Sequence, residues 1–371
     1  MSEIDLVHDA INSGKEWFLN SGIQNKDGSF NAWYDEEKMK YSFVYPEITG
    51  YAITELLYLN KICHDEMFVE NSKKAVNWLI KKAYNTGGFV SKYHNGIFTK
   101  EIYSFDTAMC LNGIVNFYRH THNKNYLEIS KIIGNWLINI MQNKNGSFEA
   151  RYDLEKKSIM DDEDHWSAHP GTFHMKNAIG LLNLYEVSAR NLLYKDSVLN
   201  LYKWCLDKDE DGRYPTNAND TYMHPQCYTM EGLLIKSLFE DNKEPWKRVE
   251  KSLEWILSNK LNTNGIPFNY CDGEFSEGEH VDSLSQAIRI AIILGKDVND
   301  MVQRLLTFQC LSDDPKASGG FYYGIQENGQ LIRHVNAHAT MFALQALTMW
   351  KYRKEFFVGD TWNIIDYFDL V

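Results

Sequence analysis

The sequence predicts an all-α protein, six helical hairpins closed into a ring, and three observations predict it. A short phrase ending in glycine and an aromatic or apolar residue occurs six times: KDGSF, NTGGF, KNGSF, EDGRY, TNGIP and ASGGF. Its glycines, Gly28, Gly88, Gly146, Gly212, Gly265 and Gly320, are spaced by 60, 58, 66, 53 and 55 residues. Upstream of the first five runs a helix ending in a tryptophan phrase, EWFL, NWLI, NWLI, KWCL and EWIL; the sixth copy has RLLTF instead. Downstream of each glycine comes an irregular stretch and then a second, more apolar helix. Fixed periods of about 20–50 residues usually build open solenoids. A longer period repeated six times points to a closed ring.

Each element has its own reason. The first helices carry more Lys and Glu, the pattern of an outer layer with one wet face. The second helices, PEITGYAITELLYL, SFDTAMCLNGIVNFY, PGTFHMKNAIGLLNLY, PQCYTMEGLLIKSL, VDSLSQAIRIAIIL and NAHATMFALQALTMW, are apolar nearly all round and belong inside. The glycine follows the tryptophan by about ten residues in most copies, where the outer helix ends and the chain reverses with positive φ. In VYPEITGYAITELL, Pro46 suits a first helical turn, and Ile48, Ala52, Ile53, Leu56 and Leu57 recur at helical spacing. Glu47, Tyr51 and Thr54 fall among those apolar positions, as expected of a helix that lines a cavity.

The length of 371 residues would ordinarily mean two or more domains, but a closed ring uses residues 1–353 as one. Residues 354–371, KEFFVGDTWNIIDYFDLV, do not repeat. Phe356, Phe357, Trp362, Tyr367 and Phe368 make them too aromatic for a free tail, so they are expected to pack on the ring or meet a partner. Trp and Tyr number 32, which favours an enclosed, amphipathic interior. A net charge of −12 gives no general attraction for nucleic acid. The opening MSEIDLVHDAINSG lacks a signal-peptide pattern, no apolar run approaches the roughly 18–20 residues of a membrane span, and cytoplasm is expected. The cysteines at 63, 110, 205, 227, 271 and 310 contain no CxxC pair and read as free thiols.

This pattern resembles the (α/α)6 toroid superfamily: six-hairpin glycosidases, several polysaccharide lyases and epimerases, and terpenoid cyclases with protein prenyltransferases. The resemblance covers about residues 5–353. YPEITGY, with the later NAHATMFALQAL, is similar to the YPE-x-TGY phrase of toroid proteins associated with bacterial surface-polysaccharide gene clusters. In such a toroid the loops and first turns of the inner helices form one end of the ring, where helix N-termini lend partial positive charge.

Those six starts are rich in titratable groups. In chain order they offer Tyr45, Glu47 and Tyr51; Tyr103 and Asp106; His165, Trp166, His169, His174 and Lys176; His224, Tyr228 and Glu231; Glu279, His280 and Asp282; and Arg333, His334 and His338. Seven of the twelve histidines fall here, which composition alone does not explain. Blander roles compete. Asp106 and Asp282 suit helix N-termini, the rings before Pro46, Pro170 and Pro225 can stack on a rim, and Tyr228 and His338 can be satisfied core residues. Convergence on one mouth favours function. Glu47, Asp106, His224, Tyr228, Asp282 and His338 are the catalytic candidates. Tyr45, Tyr51, Trp166, His169, His174, Glu231, His280, Arg333 and His334 are expected to bind substrate.

Two chemistries fit. Glycoside hydrolysis needs a carboxylic acid and a carboxylate whose pKa values are driven apart, from among Glu47, Asp106, Glu231 and Asp282. Elimination or C5 epimerisation of a uronic acid needs a Tyr or His base, with Arg or His neutralising the carboxylate. Trp33, Trp166 and Tyr214 offer faces for sugar rings. His169 with His174, His224 with Cys227 and His334 with His338 are the nearest approaches to metal-ligand spacing, and none is a zinc signature. No metal and no cofactor is expected. MDDEDHW contains Asp161-x-Glu163-Asp164, one substitution from the Asp-x-Asp-Asp of class II terpenoid cyclases, but a histidine-crowded mouth would quench a carbocation. The expectation is a carbohydrate-active enzyme, hydrolase or lyase/epimerase, with a carbohydrate substrate and either self-association or polysaccharide-assembly partners. Its rivals are a terpenoid cyclase or prenyltransferase and a non-catalytic glycan-binding toroid.

Overall fold

In the computed structural model, which describes residues 3–83, 87–94, 97–217, 220–240, 242–356 and 368–371, twelve α-helices follow one another as six outer–inner pairs, each inner helix packing, of the outer layer, most closely on the helix that comes next and the last on the first. They are α1 (Glu3–Asn20) with α2 (Pro46–Cys63), α3 (Glu66–Lys82) with α4 (Ser104–Thr121), α5 (Lys124–Trp136) with α6 (Asn177–Val187), α7 (Leu192–Leu206) with α8 (Met223–Glu240), α9 (Lys243–Ser258) with α10 (Val281–Ile293), and α11 (Asn299–Leu306) with α12 (Ala337–Phe356). The fold is the (α/α)6 toroid.

Burial separates the layers as the sequence pattern predicts. Outer α9 buries one stripe, including Val249, Leu253 and Ile256, and leaves its charged residues outside. Inner α2 is buried at every position from Pro46 to Leu59, and inner α4 from Ser104 to Phe117. The inner helices pack in sequence, α2 on α4, α6, α8, α10 and α12, and α12 returns to α2. Small residues allow that approach. A Cβ at Gly50 would lie 2.7 Å from Cys110 Cα on the next inner helix, so the two backbones touch there. The seam is also stitched by strands: Trp33–Asp35 runs antiparallel to Leu331–Asn336, pairing Trp33 with Asn336, Tyr34 with Val335 and Asp35 with His334.

The glycine phrase divides its work differently from the expectation. Positive φ falls on Gly28, Gly87, Gly146, Gly212 and Gly319, and in the fifth copy on Asn264. Gly88, Gly265 and Gly320 are therefore not the reversing residues; they are needed for space. A Cβ at Gly320 would meet Val335 Cγ1 at 2.4 Å, and one at Gly265 would meet Glu279 Oε2 at 1.7 Å. The third inner helix also departs from the others, because a 3-10 turn, Thr172–Lys176, precedes α6.

No helix among the described residues is long and apolar enough to cross a membrane, and the six cysteines are free thiols. Of the aromatic stretch after residue 353, Phe357, Trp362, Tyr367 and the side chain of Phe356 lie outside the described residues. Phe368–Val371 enters the ring from the end opposite the inner-helix starts. Asn112 and Asn116 each donate to the Phe368 carbonyl at 2.8 Å, Lys61 pairs with Asp369, and Phe368 and Val371 are buried.

Candidate active site

The first turns of the inner helices surround a cleft of about 590 Å³. All six catalytic candidates, Glu47, Asp106, His224, Tyr228, Asp282 and His338, line it, and so do Tyr45, Trp166 and His334. Its two walls differ in chemistry.

On the α2–α4 wall, Pro46 starts its helix one residue after an extended Tyr45, which brings Glu47 into the first turn and inward. Burial pushes the Glu47 carboxyl up to about 7. Burial first, and then the charge of Glu47, hold Asp106 well above the usual carboxylate range. Asp106 does not cap its helix; Tyr45 and Ser91 reach its carboxyl, while its Oδ2 is buried with no hydrogen-bond partner among the described residues.

The facing wall comes from α8, α10 and α12. The rings of His224 and His338 lie 5.2 Å apart and nearly perpendicular. The Nδ1 atoms of both are 3.8 Å from the Asp282 carboxylate, a charge contact beyond hydrogen-bond length. Burial lowers His224 to about 4 and also lowers His338, so both imidazoles are neutral near pH 7. Burial opposes ionisation of Asp282, but the neighbouring imidazoles outweigh it and hold the carboxyl below its ordinary range. The Ser283 amide and hydroxyl also donate to Oδ1, at 2.6 and 3.1 Å.

The tautomers follow from the partners. Glu231 is fully buried, with Lys176 Nζ 2.7 Å from Oε2 and Arg289 Nη2 bonded to Oε1. Those two cations overcome its burial and keep it ionised, so it can only accept. Gln286 must then present its amide nitrogen to Glu231, at 3.0 Å, and its carbonyl oxygen to His224 Nδ1, at 2.7 Å. The proton of His224 therefore sits on Nδ1, assigned from this network, and Nε2 is bare. Tyr51 donates to Tyr228 at 3.3 Å, and Tyr228 lies 3.2 Å from His338 Nε2. Tyr228 then donates to Nε2, and the Nδ1–H of His338 faces Asp282.

The remaining expected binding residues lie elsewhere. Tyr51 does not line the cleft; it bonds to Tyr228 and packs on His338, which do. His174 is buried against Ser104 Oγ and Gly171, and burial takes it to about 3. His169 bonds to Asn217, and His280 is packed between the Phe268 and Tyr323 rings. Arg333 is half exposed on Glu36. Glu231 sits beneath the cleft with both oxygens taken. Of the proposed stacking faces, Trp33 and Trp166 line the cleft and Tyr214 is buried away from it. Glu163 of the acidic run reaches the rim, paired with Arg151 at 2.8 Å. The sequence reading missed Gln286 and Arg289; the signal was two polar side chains within VDSLSQAIRIAII.

His224, Asp282 and His338 also offer ligand atoms within 4.8 Å of one another. Two imidazoles and a carboxylate suit a divalent transition metal. While Nδ1 of His224 donates to Gln286, only its Nε2 is available to one.

No family model matches the chain, and no curated protein matches it in sequence. The architecture is shared with solved structures at low identity. Cellobiose 2-epimerase from Bacillus thermoamylovorans B4167 aligns with a TM-score of 0.74 at 12% identity, over 91% of this chain and 98% of that one. A D-mannose isomerase aligns with a TM-score of 0.74 at 12% identity, over 93% and 97%. An unsaturated glucuronyl hydrolase specific for heparin gives 0.72 at 13% identity, over 95% and 98%. At these identities the likeness is one of fold.

Proposed function

We propose that the protein is a carbohydrate-active enzyme that moves protons at a sugar carbon beside a carbonyl or carboxyl group, an epimerase, isomerase or lyase in reaction type. The observation that carries this reading is one bare imidazole nitrogen, His224 Nε2, on the same cleft wall as the run Tyr228–His338–Asp282. In this scheme Nε2 of His224 takes the proton from carbon, and the C–H electrons move into the adjacent carbonyl. The developing oxyanion lies among inner-helix N-termini, which favour negative charge. Tyr228, on the same wall, then delivers a proton from that side to a departing glycosidic oxygen (elimination), whereas a proton for the other face of the carbon (epimerisation) comes from the Glu47 carboxyl on the facing wall, which burial raises to about 7. In the resting site His338 Nε2 accepts from the Tyr228 hydroxyl and so holds that donor in place, and Tyr228 regains its proton from solvent once the product has left.

Several features support an oligo- or polysaccharide substrate. A second groove of about 620 Å³ continues from the cleft across Trp33, Phe43, Lys92 and His334, with Lys40 and Phe98 further out. Trp33 is stacked on His334 at 4.9 Å and 14°, a firm platform for a sugar face. The fold neighbours named for 2-epimerase, isomerase and glucuronyl hydrolase activity are consistent with sugar chemistry in this cleft. The YPEITGY phrase supports a setting in polysaccharide building or modification.

One observation favours hydrolysis as a second reading: the unpartnered Asp106 Oδ2 beside a Glu47 that titrates near neutrality. Incubation with a panel of neutral and uronate-containing oligosaccharides in D2O separates the two. Proton transfer at carbon places deuterium on carbon or creates an unsaturated uronate; hydrolysis gives new reducing ends without either. His224→Gln should lower carbon exchange by about 10²–10⁴-fold, while Asp106→Asn should leave it within about tenfold. New reducing ends with no deuterium on carbon, lost in Asp106→Asn, would instead establish the hydrolase. Glycan binding with neither exchange nor cleavage would leave a binding toroid.

A further inference from the structure

We infer that the groove leading out of the cleft is a subsite for an acidic sugar unit, with Lys40 and Lys92 as the residues that select its charge. The inference rests on the reading above in taking the ligand to be a glycan whose reacting unit lies in the cleft. The charge assigned here belongs to a neighbouring unit of that glycan.

The protein as a whole repels anions, at a net charge of −12. The groove departs from that balance. Its charged lining is Lys38, Lys40 and Lys92 against Asp35 alone. Asp35 is already occupied, because Lys38 donates to its two oxygens, from Nζ at 2.7 Å and from the main-chain amide at 2.9 Å. Lys40 stands opposite Asp35 in the ladder, yet among the described residues neither Lys40 nor Lys92 has a carboxylate within 4.0 Å. His334, which burial keeps neutral near pH 7, adds no charge. Two exposed ammonium groups are left facing the groove without a counter-ion from the protein.

Lys92 is held at the junction of groove and cleft, both of which it lines. Next to it, Tyr93 and Val44 exchange main-chain hydrogen bonds of 2.9 Å in each direction. Lys92 itself accepts from the Thr99 amide at 3.0 Å and donates from its amide to the Thr99 hydroxyl at 3.1 Å. This fixed backbone sets the ammonium 5.0 Å from the centre of the Phe43 ring. Lys92 also favours ionisation of Asp106, but burial keeps that carboxyl above the usual range, so Asp106 does not neutralise it.

Charge alone would attract any anion, and the aromatic lining narrows the choice. Phe43 stands edge-on to Trp33, with ring centres 5.2 Å apart and planes at 82°, and Trp33 is stacked on His334. The C–H face of a pyranose fits such rings, while an acidic substituent on the same unit reaches the ammonium groups beside them. Exposed ion pairs add little affinity one at a time, so the two lysines act mainly by discriminating between charged and neutral units.

The test reads binding without turnover. Cellotetraose and maltotetraose, each with its oxidised (uronate) and its sulfated counterpart, are titrated into the full chain at low ionic strength and at roughly 0.15 M. On at least one backbone a charged form should bind about tenfold tighter than the neutral form at low salt, falling to about threefold at the higher salt. The form with the larger preference identifies the acidic group. Lys40→Met combined with Lys92→Met should cut the low-salt preference to about twofold in a variant that circular dichroism shows to be folded. Tetraglutamate, equally charged but without sugar faces, should not displace the glycan. Equal affinity for charged and neutral forms on both backbones overturns the proposal, as does failure of every charged form to bind. A preference that survives in the double variant, or displacement by tetraglutamate at equal concentration, overturns it too. Acidic glycans that bind but show neither carbon exchange nor cleavage would remove the proposed reaction and leave the subsite. Exchange on neutral glycans with no charge preference in binding would remove the subsite and leave the reaction.

Discussion

The two walls of the cleft have similar burial and opposite electrostatics. On the α2–α4 wall, Glu47 and Asp106 have no cation in direct contact among the described residues, and burial drives them toward the protonated acid. Across the cleft, Asp282 is as deeply buried, yet it stays ionised. In the acid range where it would take up a proton, the neighbouring imidazoles carry charge that opposes this; near neutrality, where the imidazoles have lost that charge, the Ser283 amide still donates to it. Burial alone therefore does not set the charge of a carboxyl here; its immediate partners do. One cleft thereby holds proton donors on one side and a base on the other.

Lys176 joins the walls, and removing it should break the comparison most severely. Its ammonium is buried 2.7 Å from Glu231, above the Tyr228 and Tyr51 rings at 4.4 and 5.0 Å, and burial lowers it to about 8. Lys176→Met leaves Glu231 with Arg289 alone and should cost about 3–5 kcal/mol in denaturant unfolding. It should also raise the Glu47 pKa further, because Lys176 is one of the groups that favour the Glu47 carboxylate.

A pH series sharpens the contrast. Glu47 binds its proton more tightly folded than unfolded, so its contribution is complete below about 4.5 and is lost as pH rises through about 7. His224 binds its proton less tightly when folded. Its contribution is present above about 6.5 and is lost as pH falls through about 4. Each shift is worth about 3 kcal/mol and the two slopes oppose. Relative to the unaltered protein, Glu47→Gln should therefore become more stable between pH 4.5 and 7, and His224→Asn should become more stable as pH falls from 6.5 to 4. Parallel curves for both variants would mean that the walls do not differ in this way.

The smallest expected effect lies outside both walls. Trp33→Ala removes the half-buried platform stacked on His334. Loss of about 1 kcal/mol of stacking should raise KM for a long oligosaccharide about fivefold with kcat nearly unchanged.

The ring and its cleft were legible because both depend on repetition. Six glycine phrases and six apolar helices mark the layers, and the first turns of those helices supplied all six catalytic candidates that line the cleft. Position along a helix, however, does not reveal which way a side chain turns. His174 and His338 both lie in such first turns, but the 3-10 turn at Thr172–Lys176 rotates His174 into the core. The supporting residues were harder to see. Gln286, Arg289 and Gln345 lie one to three turns further along apolar helices, where a lone polar residue carries no motif. Only the convergence of Gln286 and Arg289 on Glu231, with Gln345 bonded to Arg289, gives them a role.

The strand seam has a consequence for how the molecule comes into being. Trp17 in the first hairpin donates to the Lys316 carbonyl, 299 residues away, and Trp33 waits for Asn336 and His334. During synthesis the opening hairpin must persist without its neighbour until nearly the whole chain has left the ribosome. Contacts so distant in sequence are slow to form, so closure should be a late event. His338 arrives with the last hairpin, which means that an unfinished or shortened ring has no complete site. Catalytic competence would then register that the circle has been joined.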